Sequence, residues 1–495
     1  MKTKAFNNDK YIKLQSEHIL ERINKFDNKL YLELGGKLFD DGHAARVLPG
    51  FEEDAKLKML LELKDKAEVI IVVNAHDIEN NQIRGDLGIG YDGETLRLID
   101  SFMNVGFDIA GVMINQFENQ PDAIKFKEYL NSMGIKTYLS YTIFGYPHNV
   151  DKIVSDEGFG KNEYVKTKKP LVVVTGPGPG SGKLLVCLSQ MYHENKRGIK
   201  AGYAKFETFP VWNLNLRHPV NLAYEAATAN LNDVNMIDPY HLEAYGQMAT
   251  NYNRDVEAYP ILETILTEIM GYSPYKSPTD MGVNMVGFCI EDNKAVEEAS
   301  KQEIIRRYFD SLCDIKTGKA SRSELDKIEL LMKQLKISSA IRKVVSGSRK
   351  KAKESQSPAF ALQLEDGKIV TGRQTKLLNA PSACILNALK IYANINDDIP
   401  LISPNILEPI LELKDSLQSE DKSILHLDEV MIALAMSATT NPLSHQALTQ
   451  LDKLKGLEGH STVMLEANDK ELLRNLGISF TQSPKFRTKG LFKNY

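Results

Sequence analysis

The sequence predicts an α/β fold. Its first part is a doubly wound, mainly parallel sheet with a glycine-rich phosphate-type loop, followed by a mainly helical middle region and a smaller C-terminal α/β unit. Three observations predict it. From Lys29 to about Thr208, short β-branched or aromatic runs alternate with longer segments of helical period. One run, Leu171 to Thr175, enters Gly176-Pro177-Gly178-Pro179-Gly180-Ser181-Gly182-Lys183 and continues into an apolar-striped segment, Leu184 to Tyr192. After a basic stretch, Arg342 to Lys353, a second set of strand and helix patterns begins. A chain of 495 residues exceeds what one core supports, and three regions are expected, 1–235, 236–350 and 351–495.

The strands are read at Leu30–Leu34, Val69–Asn74, Ile109–Asn115, Lys136–Tyr141, Leu171–Thr175 and Lys200–Phe206. Between them, Phe51–Lys66 carries Leu57, Leu60, Leu61 and Leu63 on one side, and Glu94–Val105 and Asp122–Met133 repeat the device. Beyond Thr208 periodicity weakens until Val220–Asn230. One strand-like run, Val283–Ile290, follows the turn-rich segment around Pro278, and Gln302–Gln334 reads as a charged helical pair. Arg342–Lys353, with Ser346, Gly347 and Ser348 inside it, reads as a flexible linker. Then come two short strands around Asp366-Gly367, a type I′ hairpin signal. Helices are read at Ala380–Asn394, Ile406–Gln418, Leu427–Ser437 and Pro442–Lys455, and the unit closes with strand Ser461–Leu465, helix Asp469–Leu476 and strand Ile478–Thr481.

Composition narrows the function classes. A net charge of -4 over 61 basic and 65 acidic residues gives no bulk support for nucleic-acid binding. Met1 to Leu14 lacks the apolar segment of a secretory signal, and no run approaches the ~20 apolar residues of a membrane span. The four cysteines stand far apart without a CxxC pair, which argues against a zinc site or disulfide framework. A reduced, cytoplasmic protein without membrane or nucleic-acid partners is expected, with homo-oligomerisation left open.

The loop carries the chemistry. Glycines let backbone N–H groups turn toward an anion, the following helix adds its positive end, and Lys183 can reach phosphate oxygens. Gly176, Gly178, Gly180, Ser181, Gly182 and Lys183 are therefore candidate ligand-binding residues. The motif departs from a Walker A loop: Pro177 replaces its first glycine, and Leu184 replaces the hydroxyl residue that usually meets magnesium. Ser181 or Thr175 could substitute, or phosphate could bind without metal. The competing reading is a tight strand-to-helix turn stiffened by Pro177 and Pro179.

Ligands in such sheets gather beyond the carboxyl ends of the strands. Lys37 and His43, after Gly35-Gly36, are second candidates, set against the frequency of ligand-free Gly-Gly turns. Glu207 ends a strand beside the loop, and Asp238 and His241 follow. A carboxylate there could hold magnesium or act as a base, and His241 could move a proton. Against this, Glu207 could cap or ion-pair, and His241 and His218 each stand within two residues of a proline and could brace a turn.

Leu34-Gly35-Gly36-Lys37-Leu38, the loop from Gly176 to Lys183, Phe206-Glu207-Thr208-Phe209-Pro210-Val211-Trp212-Asn213, His218 to Thr228 and Ser277-Pro278-Thr279-Asp280-Met281-Gly282-Val283-Asn284 resemble an uncharacterised bacterial family. It is catalogued as domain of unknown function eighteen-forty-six, and the similarity spans essentially the whole chain. The resemblance implies a multidomain cytosolic protein with an α/β N-terminal part and a smaller C-terminal α/β part. It supplies no activity. From the residues, the first reading is a nucleotide-dependent phosphotransferase or ligase acting on a small polar metabolite, with ATP or another nucleotide and magnesium as candidate cofactors. The alternatives are a Rossmann-like enzyme for a dinucleotide or sugar phosphate, and a non-catalytic nucleotide-sensing or oligomeric protein.

Overall fold

Ala67-Glu68-Val69-Ile70-Ile71-Val72-Val73-Asn74 is almost continuously apolar because neither face of this strand meets water, the condition of a parallel sheet covered on both sides. The computed structural model describes residues 4–36, 38–39, 41–84, 88–417 and 424–487, which divide into compact units 2–300 and 301–495. In the first unit, helix α1 (Asn8–Lys25) precedes β1 (Leu30–Leu34), α2 (Gly42–Val47), α3 (Ala55–Glu62) and β2 (Ala67–Asn74). Strands β3 (Asp108–Phe117), β4 (Thr137–Tyr141) and β5 (Leu171–Thr175) follow, then α4 (Lys183–Lys196), β6 (Gly202–Phe206), α5 (Pro239–Tyr245), α6 (Asn253–Met270) and β7 (Gly282–Val283).

These seven strands form one sheet in the order β7-β6-β1-β5-β2-β3-β4, and every pairing is parallel. Helices cover both faces. Neighbouring residues of a strand point to opposite sides. On β6, Phe206 meets Lys56 of α3, whereas Lys205 meets Asp255 of α6.

The six strands read from the sequence in this sheet are all present, to within a few residues. Two other readings change. Val283–Ile290 is not a continuous strand: β7 ends at Val283 and a short 3-10 turn spans Val286–Cys289. The charged N-terminal segment, noted above only for lacking a secretory signal, is α1, capped by Asn7 and buried along Tyr11, Ile12, Ile19 and Ile23.

In the second unit, helix α7 (Lys343–Ser355) leads into β8 (Ala359–Gln363) and β9 (Ile369–Arg373). Helices α8 (Ala380–Tyr392) and α9 (Leu427–Ala438), strand β10 (Glu458–Ser461), helix α10 (Ala467–Asn475) and strand β11 (Ser479–Gln482) follow. The sheet runs β9-β8-β10-β11, with only the last pair parallel. Arg342–Lys353 is therefore not a linker. Val344 and Val345 are buried, and the Arg342 guanidinium bonds Gly459 O at 3.1 Å and Ser479 O at 3.3 Å. The β8–β9 hairpin is not type I′ either. Of its turn residues only Gly367 has positive φ (84°), and Gly367 N–H donates to Leu364 O, which fits a type I turn closed by a glycine bulge. The strand expected at Ser461–Leu465 lies three residues earlier, because polar Glu458-Gly459-His460-Ser461 pairs with β8.

Candidate functional site

The strand order fixes where a site can form. From β1 the chain crosses β5 to reach β2, whereas from β5 it crosses β1 in the other direction to reach β6. The two connections diverge between β1 and β5, and at such a point the carboxyl ends of the strands leave a crevice. Both glycine segments of the sequence, Gly35-Gly36 and Gly176 to Gly182, leave the sheet there.

The loop after β5 is closely packed. A Cβ on Gly176 would come within 2.2 Å of Val72 O, one on Gly178 within 2.3 Å of Tyr91 Oη, and one on Gly182 within 1.9 Å of Asn115 Nδ2. Protein neighbours thus account for these three glycines. Gly180 differs: its φ is +80° and nothing lies within 4 Å of its Cβ position. Gly182 starts α4 in a left-handed conformation, and no side chain caps the helix among the described residues. Its first N–H groups are left without side-chain partners there. Ser181 is buried and its hydroxyl donates to Gly178 O at 2.7 Å, while Lys183 Nζ donates to the same carbonyl at 3.1 Å. Burial pulls the Lys183 ammonium below its ordinary pKa, with Glu33 opposing the shift and Lys205 adding to it.

Beside the crevice, β6 and the start of α6 build a charged cluster. Lys205 pairs with Glu207 at 2.9 Å and also contacts Asp255 and the Tyr252 hydroxyl. Tyr252 Oη in turn donates to Glu207 Oε1 at 3.2 Å. Glu207 Oε2 lies over Gly282, where a Cβ would approach it to 3.2 Å. Burial pushes the Glu207 carboxyl up to about 7, Asp255 adding to the shift while Lys205 opposes it. Burial disfavours the Lys205 charge, yet Asp255 and Glu207 hold its pKa well above the usual lysine value. On β1, Glu33 stands in register with Lys205 and accepts the Tyr203 hydroxyl at 2.6 Å.

The other expected site residues divide. His43 packs edge-on against Phe209, ring centroids 5.3 Å apart, so the segment after β1 does meet the end of β6. Lys37 lies outside the described residues. Asp238 is fully buried and caps α5, accepting His241 N–H at 3.0 Å, Thr279 N–H at 3.1 Å and the Thr279 hydroxyl at 2.6 Å. His241 Nδ1 lies 3.0 Å from Ser277 Oγ, and burial lowers its pKa against the pull of Asp238 and Asp280. This second group adjoins Glu207 through Gly282, whose Cβ position lies 3.3 Å from Thr279 O. His218 caps the helix Pro219–Ala227 and borders a shallow depression of about 560 Å³ with Arg217, Ile237 and Glu297; no loop residue lines it.

Sequence reading missed Glu33, Lys205, Tyr252 and Asp255. The first two carried a signal, each being a lone charge in an otherwise apolar or aromatic strand, Leu30-Tyr31-Leu32-Glu33-Leu34 and Gly202-Tyr203-Ala204-Lys205-Phe206. Tyr252 and Asp255 carried none.

This architecture recurs in known sequences. Residues 4–336 match the N-terminal domain of unknown function DUF1846, and residues 340–492 match its C-terminal counterpart. The chain belongs to this family. Members called UPF0371 protein in Streptococcus pneumoniae strains JJA and CGSP14 are each 54% identical over 494 residues, covering 100% of both chains. No activity comes with the family. Among the described residues no helix is long and apolar enough to cross a membrane.

Proposed function

We propose that the protein binds a phosphate-bearing ligand, a nucleotide in the first instance, on the loop between Gly176 and Lys183. The turnover we assign is phosphotransfer or ligation on a small polar metabolite. One observation carries the reading: the glycine loop, the uncapped start of α4 and Lys183 all lie at the point where the sheet's connections diverge. Backbone N–H groups, the helix's positive end and an ammonium would act on the same anion. Lys183 now rests on Gly178 O, a neutral acceptor that a phosphate oxygen would outcompete. Glu207, half protonated near neutral pH, is suited to accept or donate a proton from a group entering over Gly282. Asp238 is a scaffold for the Ser277–Asp280 turn in this reading.

A dinucleotide fold would use the acid at the end of the next strand to hold a ribose. Here that acid is Glu207, already engaged by Lys205 and Tyr252, and β1 stands between its strand and β5. The nucleotide reading is therefore preferred.

Calorimetric titration of ATP, GTP, NAD and inorganic phosphate, each with magnesium, tests the proposal. Lys183→Ala is expected to weaken the best ligand about tenfold or more. Absence of binding by every compound, or an unchanged affinity in Lys183→Ala, would refute it.

A further inference from the structure

Resting on the phosphate reading above, we infer that the loop takes its ligand together with a divalent cation, and that Glu33 is the carboxylate facing that cation. Charge balance is the first ground. Among the described residues the crevice and the cluster beside it hold three lysines, Lys56, Lys183 and Lys205, against four carboxylates, Glu33, Asp41, Glu207 and Asp255, with Lys56 paired to Asp41 at 2.7 Å. Lys205 is already shared by Glu207 and Asp255, and Lys183 feels Glu33. Among the described residues a phosphate carrying two negative charges therefore meets no surplus of positive side chains, and the end of one helix offsets only about half a charge. A divalent cation supplies the deficit.

Glu33 is placed to meet it. Its residue pairs with Val174 of β5 and Lys205 of β6, so it stands on the strand beside the loop at the diverging crossovers. Its carboxylate is half-buried and receives the Tyr203 hydroxyl on Oε2. Among the described residues no lysine or arginine nitrogen lies within ion-pair distance of it, although Lys183 and Lys205 are close enough to sense each other. Tyr203 thus fixes one oxygen and leaves the other for a ligand.

A second, separate sign comes from Asn115. This residue is 1% exposed and its amide packs against the loop, Nδ2 donating to Ser181 O at 3.3 Å. Its Oδ1 is buried without a hydrogen-bond partner among the described residues. Such an acceptor, facing no protein donor among the described residues, could be met by a ligand bound on the loop.

The cation would not be held by the protein alone. No group of three His, Cys, Asp or Glu side chains suited to a metal occurs among the described residues. Magnesium characteristically takes one or two carboxylates and completes its shell with substrate phosphate oxygens and water. Cation and phosphate should therefore bind cooperatively.

The test is calorimetry with ATP and with inorganic pyrophosphate, in magnesium and in EDTA, on the wild-type chain and on Glu33→Gln. Magnesium alone is titrated as a control. Expected are at least about tenfold tighter binding with magnesium, a magnesium advantage of less than about threefold in Glu33→Gln, and no strong site for magnesium by itself. Equal affinity in EDTA and magnesium would overturn the inference while leaving the phosphate reading intact, as would a strong site for magnesium alone. Binding of neither compound under any condition would remove both. The wild-type comparison decides the cation's part even if Glu33→Gln fails to fold. Tyr203→Phe, which keeps the carboxylate but frees it to rotate, should reduce the magnesium advantage without abolishing it, and an undiminished advantage in both variants would exclude Glu33.

Discussion

Glu207 is the residue where stability and chemistry pull apart. Its carboxyl is raised to about 7 because burial outweighs the attraction of Lys205, with Asp255 adding repulsion. An acid whose folded pKa exceeds its unfolded value of about 4.5 binds its proton more tightly in the folded state. Its contribution is complete below pH 4.5 and is lost as pH rises through 7. Glu207→Gln imitates the protonated form and removes that loss. Denaturant unfolding at pH 5.5 and pH 8 should show the wild type losing ~1–3 kcal/mol more than the variant over this interval. Parallel losses would mean that Glu207 is ionised throughout. A carboxylate held where it weakens the fold at neutral pH is a candidate for the proton transfer proposed above.

At the scale of elements, the parallel sheet could be read because its strands are apolar on both faces and its helices on one, so period alone separates them. The loop's position was legible for the same reason: Val172, Val173 and Val174 announce a buried strand, and the glycines announce its end. What escaped reading had its cause in tertiary packing. Arg342 and its neighbours looked like a solvated linker, yet Glu458 of β10 forms ion pairs with Arg342 at 2.6 Å and Arg306 at 2.7 Å, with the two guanidinium side chains 1% and 9% exposed. No local pattern shows that a basic run will meet an acid a hundred residues later. The cluster of Lys205 with Asp255 was hidden likewise, since a helical pattern in the middle region does not show which strand its first-turn acid on α6 will meet, here β6. The ion network anchors α7 to the second sheet. Glu458→Gln should cost about 3–5 kcal/mol, because it leaves the buried Arg342 guanidinium without its carboxylate and Arg306 with Glu303 alone. A loss under 1 kcal/mol in chemical unfolding would show that these arginines find water instead.

At the scale of the whole molecule, two histidines in the unit from 301 to 495 bend the pH profile of stability in opposite directions. His460 on β10 is fully buried between the hydroxyls of Thr481, at 2.7 Å, and Ser483, at 3.1 Å, with its ring tilted against Phe309. Burial pushes its pKa down to about 3, and Arg342 and Arg349 push the same way. The unfolded chain takes up a proton near pH 6.5 that the folded chain refuses, so stability falls steadily as pH drops from 6.5 toward 3. His426 behaves oppositely. Its Nδ1 meets the buried Asp469 carboxylate at 3.1 Å, which raises its pKa against burial. Asp469 also accepts Asn379 Nδ2 at 2.8 Å and Leu427 N–H at 2.9 Å, joining the starts of α8, α9 and α10. The charged His426 pair stabilises fully below pH 6.5 and is lost as pH rises through the raised value. The contributions of these two histidines taken together are greatest near pH 6.5. Denaturant midpoints measured from pH 4 to 9 should fall on the acid side in the wild type and more gently in His460→Gln, by up to roughly 3 kcal/mol between pH 6.5 and 4. His426→Gln should flatten the alkaline side only. If both variants keep the wild-type slopes, the histidines titrate alike in folded and unfolded chains, and the acid sensitivity must come from carboxylates such as Asp469.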